Sequence, residues 1–164
     1  MNTKAKMATK KKKVKKEVEI VNRKASYEYQ FINTYEAGIL LTGTEVKSIR
    51  LGQANLSDAY CVFEDGELYV RSMFISEYKF ANQFNHETRR TRKLLLKKQE
   101  LRKLQRRVKE KGFTIVPYRI YFNERNIVKV EIALAQGKKA YNKKEAIKEK
   151  DRKRDMQRLK KIRL

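Results

Sequence analysis

The sequence predicts one mainly β domain, a small antiparallel barrel with about three added helices, between two basic tails. Three observations indicate this: short alternating apolar runs bounded by turn residues, a single long helical pattern, and no strand–helix–strand spacing. Of the net charge of +23, residues 1–16 carry +8 and residues 137–164 carry +9. Residues 17–136 remain as the folded domain, and about 120 residues suffice to bury a core.

The first strand is predicted from Tyr27, Tyr29 and Phe31, which alternate with polar residues after Asn22. Aromatic residues at period two more often face a core than form a base-stacking platform, so we favour burial of these rings. A second apolar run follows at residues 39–41.

A short helix is predicted over residues 44–50, where Val46 and Ile49 are three positions apart between Gly43 and Gly52. Glycine on either side favours a helix that begins and ends within this stretch.

Two hairpins are predicted farther along the chain. In the first, residues 59–63 and 68–70 flank Asp65-Gly66, a pair that favours a tight turn with positive φ. In the second, residues 118–122 and 128–134 alternate apolar and polar side chains on either side of a polar turn.

The main helix is predicted over residues 91–110, with Thr91 as its cap and Gly112 just past its end. One of its faces is basic and the opposite one is apolar. The apolar stripe consists of Leu94, Leu101, Leu104 and Val108.

Several classes of protein are excluded or disfavoured. No apolar run approaches membrane-spanning length, and the lysine-rich N-terminus has no hydrophobic region behind it, so we expect neither a membrane span nor a secretory signal. Cys61 is the only cysteine and His86 the only histidine. This excludes an internal disulfide and an ordinary zinc site and fits a reducing cytoplasm, so we expect no cofactor, no metal and no catalytic residues.

The charge distribution is typical of a nucleic-acid binder. Residues 89–111 add +10 to the folded domain, and a basic face with two basic arms binds a polyanion through counterion release. By density alone, Arg90, Arg92 and Lys93 are predicted phosphate contacts. Both arms are expected to be disordered in the free chain, the C-terminal one becoming helical on a partner because its apolar residues are sparse.

Four stretches together resemble the SsrA-binding protein family, also called small protein B, which partners transfer-messenger RNA (tmRNA) in bacterial trans-translation. The resemblance runs from about Asn22 to the C-terminus, and the order and spacing of the stretches make it specific. They are Asn22-Arg23-Lys24-Ala25, then Tyr35-Glu36-Ala37-Gly38 with Gly43-Thr44-Glu45-Val46-Lys47-Ser48-Ile49-Arg50, then Arg90-Thr91-Arg92-Lys93-Leu94-Leu95-Leu96, then Gly137-Lys138-Lys139.

The resemblance implies an oligonucleotide-binding-type (OB-like) barrel and a non-enzymatic RNA-binding role. Glu36, Leu95 and Lys129 match RNA-contacting positions of the family. The residues alone leave another structural role open for each of the three. These are a turn acid at Glu36, a second core layer at Leu95 and a solvated strand lysine at Lys129. The full set of RNA-binding candidates is Asn22, Arg23, Lys24, Glu36, Arg90, Arg92, Lys93, Leu95 and Lys129.

The resemblance further implies a C-terminal tail that enters the empty mRNA channel of a stalled ribosome. The chain departs from the family where Asn142-Lys143-Lys144 replaces Asp-Lys-Arg and where Tyr141 stands at a position that is His in some relatives. The tail candidates are Gly137, Lys138, Lys139, Tyr141, Asn142, Lys143, Lys144, Ile147, Lys148, Lys150, Arg152, Lys153 and Arg154.

The function expected from this is a monomeric adaptor in ribosome rescue. Its expected partners are tmRNA and the stalled 70S ribosome, including the decoding-region rRNA, with elongation factor Tu and alanyl-tRNA synthetase acting indirectly through tmRNA. Neither a membrane nor DNA is expected as a partner. Two alternatives remain: a basic ribosomal structural protein with a small barrel, and an RNA-processing enzyme, which the lack of a carboxylate cluster or histidine pair disfavours.

Overall fold

The computed structural model describes residues 17–110, 112–138 and 140–162. Within them lie nine strands and four helices. In chain order these are β1 (Glu19–Val21), α1 (Arg23–Glu28), β2 (Tyr29–Ile39), α2 (Gly43–Arg50), β3 (Ala54–Asn55), β4 (Tyr60–Glu64), β5 (Glu67–Arg71), β6 (Phe74–Ile75), β7 (Arg92–Leu95), α3 (Lys98–Lys109), β8 (Phe113–Phe122), β9 (Val128–Gly137) and α4 (Ala140–Ile162). The basic arm of residues 1–16 lies outside the described residues.

Seven of the strands form one sheet in the order β1-β8-β4-β5-β7-β2-β9, and β8 also pairs with β9. β3 and β6 form a separate two-stranded sheet. Each pairing given for the described strands is antiparallel. The prediction of a mainly β protein with added helices is confirmed.

The larger of two buried clusters lies on one face of this sheet, as the alternation predicts. Ile120 in β8 and Val130 and Ile132 in β9 are buried, and Ile49 from α2 and Leu104 from α3 pack against the same cluster. The residues between them point to the opposite face. There Val116, Ala133 and Ala135 form a second, smaller buried cluster with Ala25 of α1, and the part of this face around Glu36 and Lys129 carries polar side chains.

Both predicted hairpins and the predicted helix over residues 44–50 are present. β4 and β5 meet at a turn in which Asp65 and Gly66 have φ values of 50° and 77°, as the Asp-Gly pair predicts. β8 and β9 pair from Phe113/Gln136 to Phe122/Val128, with one register shift between Pro117 and Arg119.

The predicted helix over residues 91–110 is wrong in its first part. Residues Arg92–Leu95 form strand β7, which pairs with β2 and β5, and α3 begins only at Lys98. The start of α3 is fixed by Glu100, whose carboxylate accepts a hydrogen bond from the Lys97 N–H at 3.2 Å. Thr91 therefore caps no helix.

The predicted strand start at Tyr27 is also wrong, because Arg23–Glu28 is a helix. Asn22 caps this helix, since its Oδ1 accepts a hydrogen bond from the Ala25 N–H at 3.0 Å. Tyr27 is 40% exposed, whereas Tyr29 and Phe31 pack on a small cluster of buried residues. The expected burial of the aromatic rings is therefore confirmed for two of the three.

The C-terminal tail is a helix in this structure, unlike the disordered segment expected of the free chain. Its large apolar side chains among the described residues are exposed, from 44% at Ile147 to 80% at Ile162. Lys153 Nζ lies 3.6 Å from Glu149 Oε1, one turn earlier. Tertiary packing therefore contributes little, and the helix depends on local propensity and charge pairs, which are worth about 0.2–0.5 kcal/mol each. No helix among the described residues is long and apolar enough to cross a membrane.

A buried charge network joins α2 to β7. The side chains of Glu45 and Arg92 are fully buried, and Arg92 Nε donates to Glu45 Oε1 at 2.7 Å. Glu45 Oε2 accepts from Arg90 Nη2 and from the Thr42 N–H, both at 2.9 Å. Burial by itself would raise the pKa of Glu45, but the hydrogen bonds from Arg90, Thr42 and Arg92 outweigh it and lower the pKa to about 2.

This network should make stability depend on pH in acid. Because the folded-state pKa of Glu45 lies below the ordinary 4.5, the charged carboxylate stabilises the fold above pH 4.5, and that contribution is lost as the pH falls through about 2. We expect Glu45→Gln to lower the free energy of unfolding by about 3–5 kcal/mol at neutral pH, as breaking a buried ion pair does. The free energy of unfolding of this variant should also fall less steeply in acid than that of the native protein.

Urea unfolding at several pH values measures both effects. Glu149→Gln, which removes an exposed carboxylate of α4, is the matched control and should change stability by less than about 0.5 kcal/mol. A Glu45→Gln protein with native stability at neutral pH would contradict the role given to this network.

Candidate nucleic-acid interface

Three predicted RNA contacts from distant parts of the sequence lie on one exposed surface. Gly38 of β2 pairs with Leu95 of β7 on one side and with Lys129 of β9 on the other. Glu36, two residues before Gly38, projects from the same face of the sheet. We call this surface the outer patch: Glu36, Gly38, Leu40, Lys93, Leu95, Tyr121 and Lys129.

Leu95 owes its exposure to the alternation of β7. Leu94 is buried in the core, whereas Leu95 is 45% exposed on the opposite face. The alternative that Leu95 forms a second core layer is therefore wrong. A Cβ on Gly38 would lie 3.3 Å from Leu95 Cβ, so the glycine lets the leucine pack directly over the neighbouring strand.

Leu40 is a candidate that the sequence reasoning missed. It is 50% exposed, and its N–H donates to the Lys93 carbonyl at 3.0 Å, which continues the pairing of β2 with β7. Leu40 and Gly38 therefore share a face, and two exposed leucines border the polar residues of the patch. The alternation along β2 was the signal that could have revealed it.

Tyr121 is the second missed residue, and it orients Glu36. Its hydroxyl donates a hydrogen bond to Glu36 Oε2, and Lys129 Nζ lies 4.0 Å from Glu36 Oε1. Burial and the neighbouring Glu36 carboxylate raise the pKa of Tyr121 to about 12, so the hydroxyl keeps its proton and remains a donor at neutral pH. The carboxylate is thus held while its side chain stays 56% exposed.

The patch borders a second cluster of paired charges. Arg119 contacts Glu131 through Nε and Glu19 through Nη1, the latter at 2.8 Å, and its guanidinium carbon lies 4.9 Å from the Tyr121 ring centroid. Hydrogen bonds from Arg119 to these two acids raise its pKa further above the usual range. The outer patch is therefore close to neutral, which suits hydrogen bonding to bases better than simple attraction of phosphate.

One of the predicted phosphate contacts is wrong, and another is already paired within the protein. The Arg92 side chain is fully buried and donates to Glu45 and to the Met73 carbonyl at 2.8 Å. The Arg90 guanidinium donates hydrogen bonds to the Glu45 carboxylate and to the Leu40 carbonyl, the latter at 3.3 Å. The Arg90 side chain is nevertheless 37% exposed, and the Lys93 side chain is 33% exposed with its Nζ 3.6 Å from Glu67 Oε2. For Arg90 and Lys93 the phosphate contact stays a prediction.

Asn22 is also buried, with 2% exposure, which excludes the direct RNA contact predicted for it in this conformation. Its Nδ2 donates to the carbonyls of Leu56 at 2.9 Å and Pro117 at 3.0 Å, so it fixes α1 to the sheet. Arg23 and Lys24 are exposed on that helix.

The tail begins beside α1. The Lys138 N–H donates to the Glu28 carbonyl at 2.9 Å, and Lys138 Nζ donates to the Ser26 carbonyl at 3.1 Å. Lys139 lies outside the described residues, and Tyr141, Asn142 and Lys143 are described only as parts of α4. The remaining tail candidates are exposed on α4: Lys144, Ile147, Lys148, Lys150, Arg152, Lys153 and Arg154.

His86 and Cys61 are both buried within the fold. His86 is 7% exposed, with Nδ1 hydrogen-bonded to Thr44 Oγ1 at 2.9 Å and Nε2 to the Ile75 carbonyl at 3.0 Å. Burial raises the pKa of the Cys61 thiol far above its usual range. The described residues contain no group of three or more His, Cys, Asp or Glu side chains that could hold a metal ion.

Comparisons with known proteins identify the family of this chain. The family model described as SmpB protein matches residues 19–162. The SsrA-binding protein of Phocaeicola vulgatus is 56% identical over 142 residues, which cover 87% of this chain and 95% of that protein. The SsrA-binding protein of Rhizobium meliloti is 51% identical over 144 residues, 88% of this chain and 91% of the relative.

A solved structure described as "tmRNA-SmpB: a journey to the center of the bacterial ribosome" contains a similar chain. Its TM-score to this protein is 0.64 at 50% sequence identity, and the match covers 75% of this chain and 86% of the other. With the family model matching residues 19–162, this chain belongs to the SmpB protein family, the family of the SsrA-binding proteins.

Proposed function

We propose that this protein binds the tRNA-like domain of tmRNA through the outer patch and delivers that RNA to stalled ribosomes. The observation that supports this best is the grouping of Glu36, Leu95 and Lys129, which β2, β7 and β9 bring side by side. The similar chain described with tmRNA and the bacterial ribosome supports the same partners.

Each part of the patch has a distinct chemical role in this proposal. Glu36, held by Tyr121, accepts hydrogen bonds from base amino groups, which carry sequence information. Leu40 and Leu95 contact the apolar faces of bases and sugars. Lys129 contacts a phosphate or a sugar.

The fold that presents the patch is, in this proposal, an OB-like barrel. β9 pairs with β2 on one side and with β8 on the other, while β8 also pairs with β4. The order β8-β4-β5-β7-β2-β9, with β9 paired back to β8, is a closed cycle of pairings, which supports a barrel. OB folds bind nucleic acid on an exposed strand face.

The tail acts on the ribosome in this proposal. A 23-residue helix spans about 35 Å, and the exposed cations of α4 suit a channel lined by phosphate. The helix would occupy the mRNA channel only when no mRNA is present, since both compete for the same space. Elongation factor Tu and alanyl-tRNA synthetase act on the same RNA, and the protein works as a cytoplasmic monomer.

The outer patch should separate affinity from specificity. We expect Glu36→Ala to weaken binding of the tRNA-like RNA by about tenfold, near 1.4 kcal/mol, without changing the slope of log K against log salt. Lys129→Ala should lower that slope by about one, because one phosphate contact is lost. Calorimetry or gel shift at several salt concentrations measures both, with Glu124→Ala in the exposed β8–β9 turn as the control.

Tyr121→Phe should weaken binding in the same direction as Glu36→Ala, since it removes the donor that orients the carboxylate. Tighter binding by Glu36→Ala would mean that this acid merely repels the RNA.

Truncation after Gly137 should separate binding from delivery. We expect the truncated protein to bind the tRNA-like RNA within about tenfold of the intact protein, because the whole patch precedes Gly137. It should fail to support tagging on stalled ribosomes in a reconstituted translation assay. Efficient tagging without residues 138–164 would exclude the channel role, and loss of RNA binding would exclude the division of labour.

A ribosomal structural protein, the alternative, would remain on subunits in high salt without tmRNA. The adaptor instead copurifies with one small RNA, so sequencing the bound RNA distinguishes the two.

A further inference from the structure

The segment between β6 and β7 exposes two phenylalanines. Phe80 is 80% exposed and Phe84 is 85% exposed, and they are separated by three residues. Single exposed apolar residues are common, but two large aromatic rings on one short loop mark an interaction surface. We call residues 79–84 the aromatic tip.

The base of this loop is fixed by hydrogen bonds. Asn85 Nδ2 donates to the Tyr78 carbonyl at 3.0 Å, and Asn85 Oδ1 accepts from the Tyr78 N–H at 3.3 Å. Next to it, the buried His86 bonds to Thr44 and to the Ile75 carbonyl. The phenylalanines are therefore displayed on a loop whose ends are bound to the fold.

The surroundings of the tip favour an RNA partner. Residues 79–84 contain Lys79 and no acid, and Lys47 Nζ lies 5.4 Å from the ring centroid of Tyr78 at the loop base. Asn82 and Gln83 are exposed between the phenylalanines. Aromatic rings that stack on bases, beside amides that can bond base edges and a lysine for phosphate, are the elements of a single-strand binding site.

The segment that carries the tip ends beside the outer patch. At the far end of the segment, Arg90 Nη2 donates to the Leu40 carbonyl at 3.3 Å, so the segment returns to the chain beside Leu40 of the patch.

We propose that the aromatic tip is a second RNA contact of this protein, in which Phe80 and Phe84 stack on unpaired nucleotides. The proposal rests on the proposed RNA-binding function and extends it to a surface outside the outer patch. Its ligand class is unpaired RNA, read through stacking with little sequence preference.

The test uses the full-length protein and two probes, an unpaired RNA of about eight nucleotides and the tRNA-like RNA. A Phe80→Ala/Phe84→Ala variant should bind the short RNA about tenfold more weakly, because stacking is lost, with an unchanged salt slope. A Phe80→Tyr/Phe84→Tyr variant keeps the rings and should bind as the native protein does. Leu51→Ala, which removes another exposed apolar side chain, is the matched control.

The outcomes separate this inference from the proposed function. Native affinity of the double-alanine variant for both RNAs would overturn the inference, even if Glu36→Ala still weakens the tRNA-like RNA. Native RNA binding with weaker ribosome binding would also overturn it, by assigning the tip to a ribosomal protein. Glu36→Ala could leave binding of the tRNA-like RNA unchanged while the double-alanine variant binds the short RNA more weakly. In that case the outer-patch proposal fails and the tip remains supported.

Discussion

The position of β7 depends on the buried carboxylate of Glu45. A buried charge is tolerated only when it is paired and hydrogen-bonded, and Glu45 is satisfied by Arg90, Arg92 and the Thr42 N–H. Because Arg92 must point inward to reach it, the alternation of the strand places Leu94 inward and Leu95 outward. The exposed leucine of the outer patch is therefore a consequence of an ion pair on the other face of the sheet.

Net charge and oriented hydrogen-bonding groups occupy different parts of this protein. The outer patch is nearly neutral, since Lys129 faces Glu36 and Arg119 is paired with two acids. The excess of +23 lies mainly in the tails and in residues 89–111, where it attracts any polyanion. A near-neutral patch of fixed hydrogen-bonding groups can then select one RNA among many, because it adds little to non-specific attraction.

Alternation predicted β8 and β9 from the sequence, and the Asp65-Gly66 pair predicted the hairpin of β4 and β5. The helical pattern failed at residues 92–95, because the three leucines at 94–96 fit a helix as well as a strand. The inward direction of Arg92 depends on Glu45, 47 positions away, which no local pattern reveals. Tyr121 was missed for a related reason, because its partnership with Glu36 depends on the register of β8 and β9 with β2. The resemblance indicated Glu36, Leu95 and Lys129 as RNA contacts, but only the strand pairings show that they lie side by side.

The sequence of the tail favours a helix but gives that helix little with which to pack on the domain. Its Lys, Arg and Glu residues favour a helix locally, while its apolar residues are too sparse to dock that helix on the domain. The structure has the helix with its described apolar side chains exposed, joined at its base by Lys138 to α1. A helix with no tertiary partner is marginal in water. A phosphate-lined channel would stabilise it by relieving repulsion between its cations, so in the proposed function folding and binding of the tail would be coupled through charge.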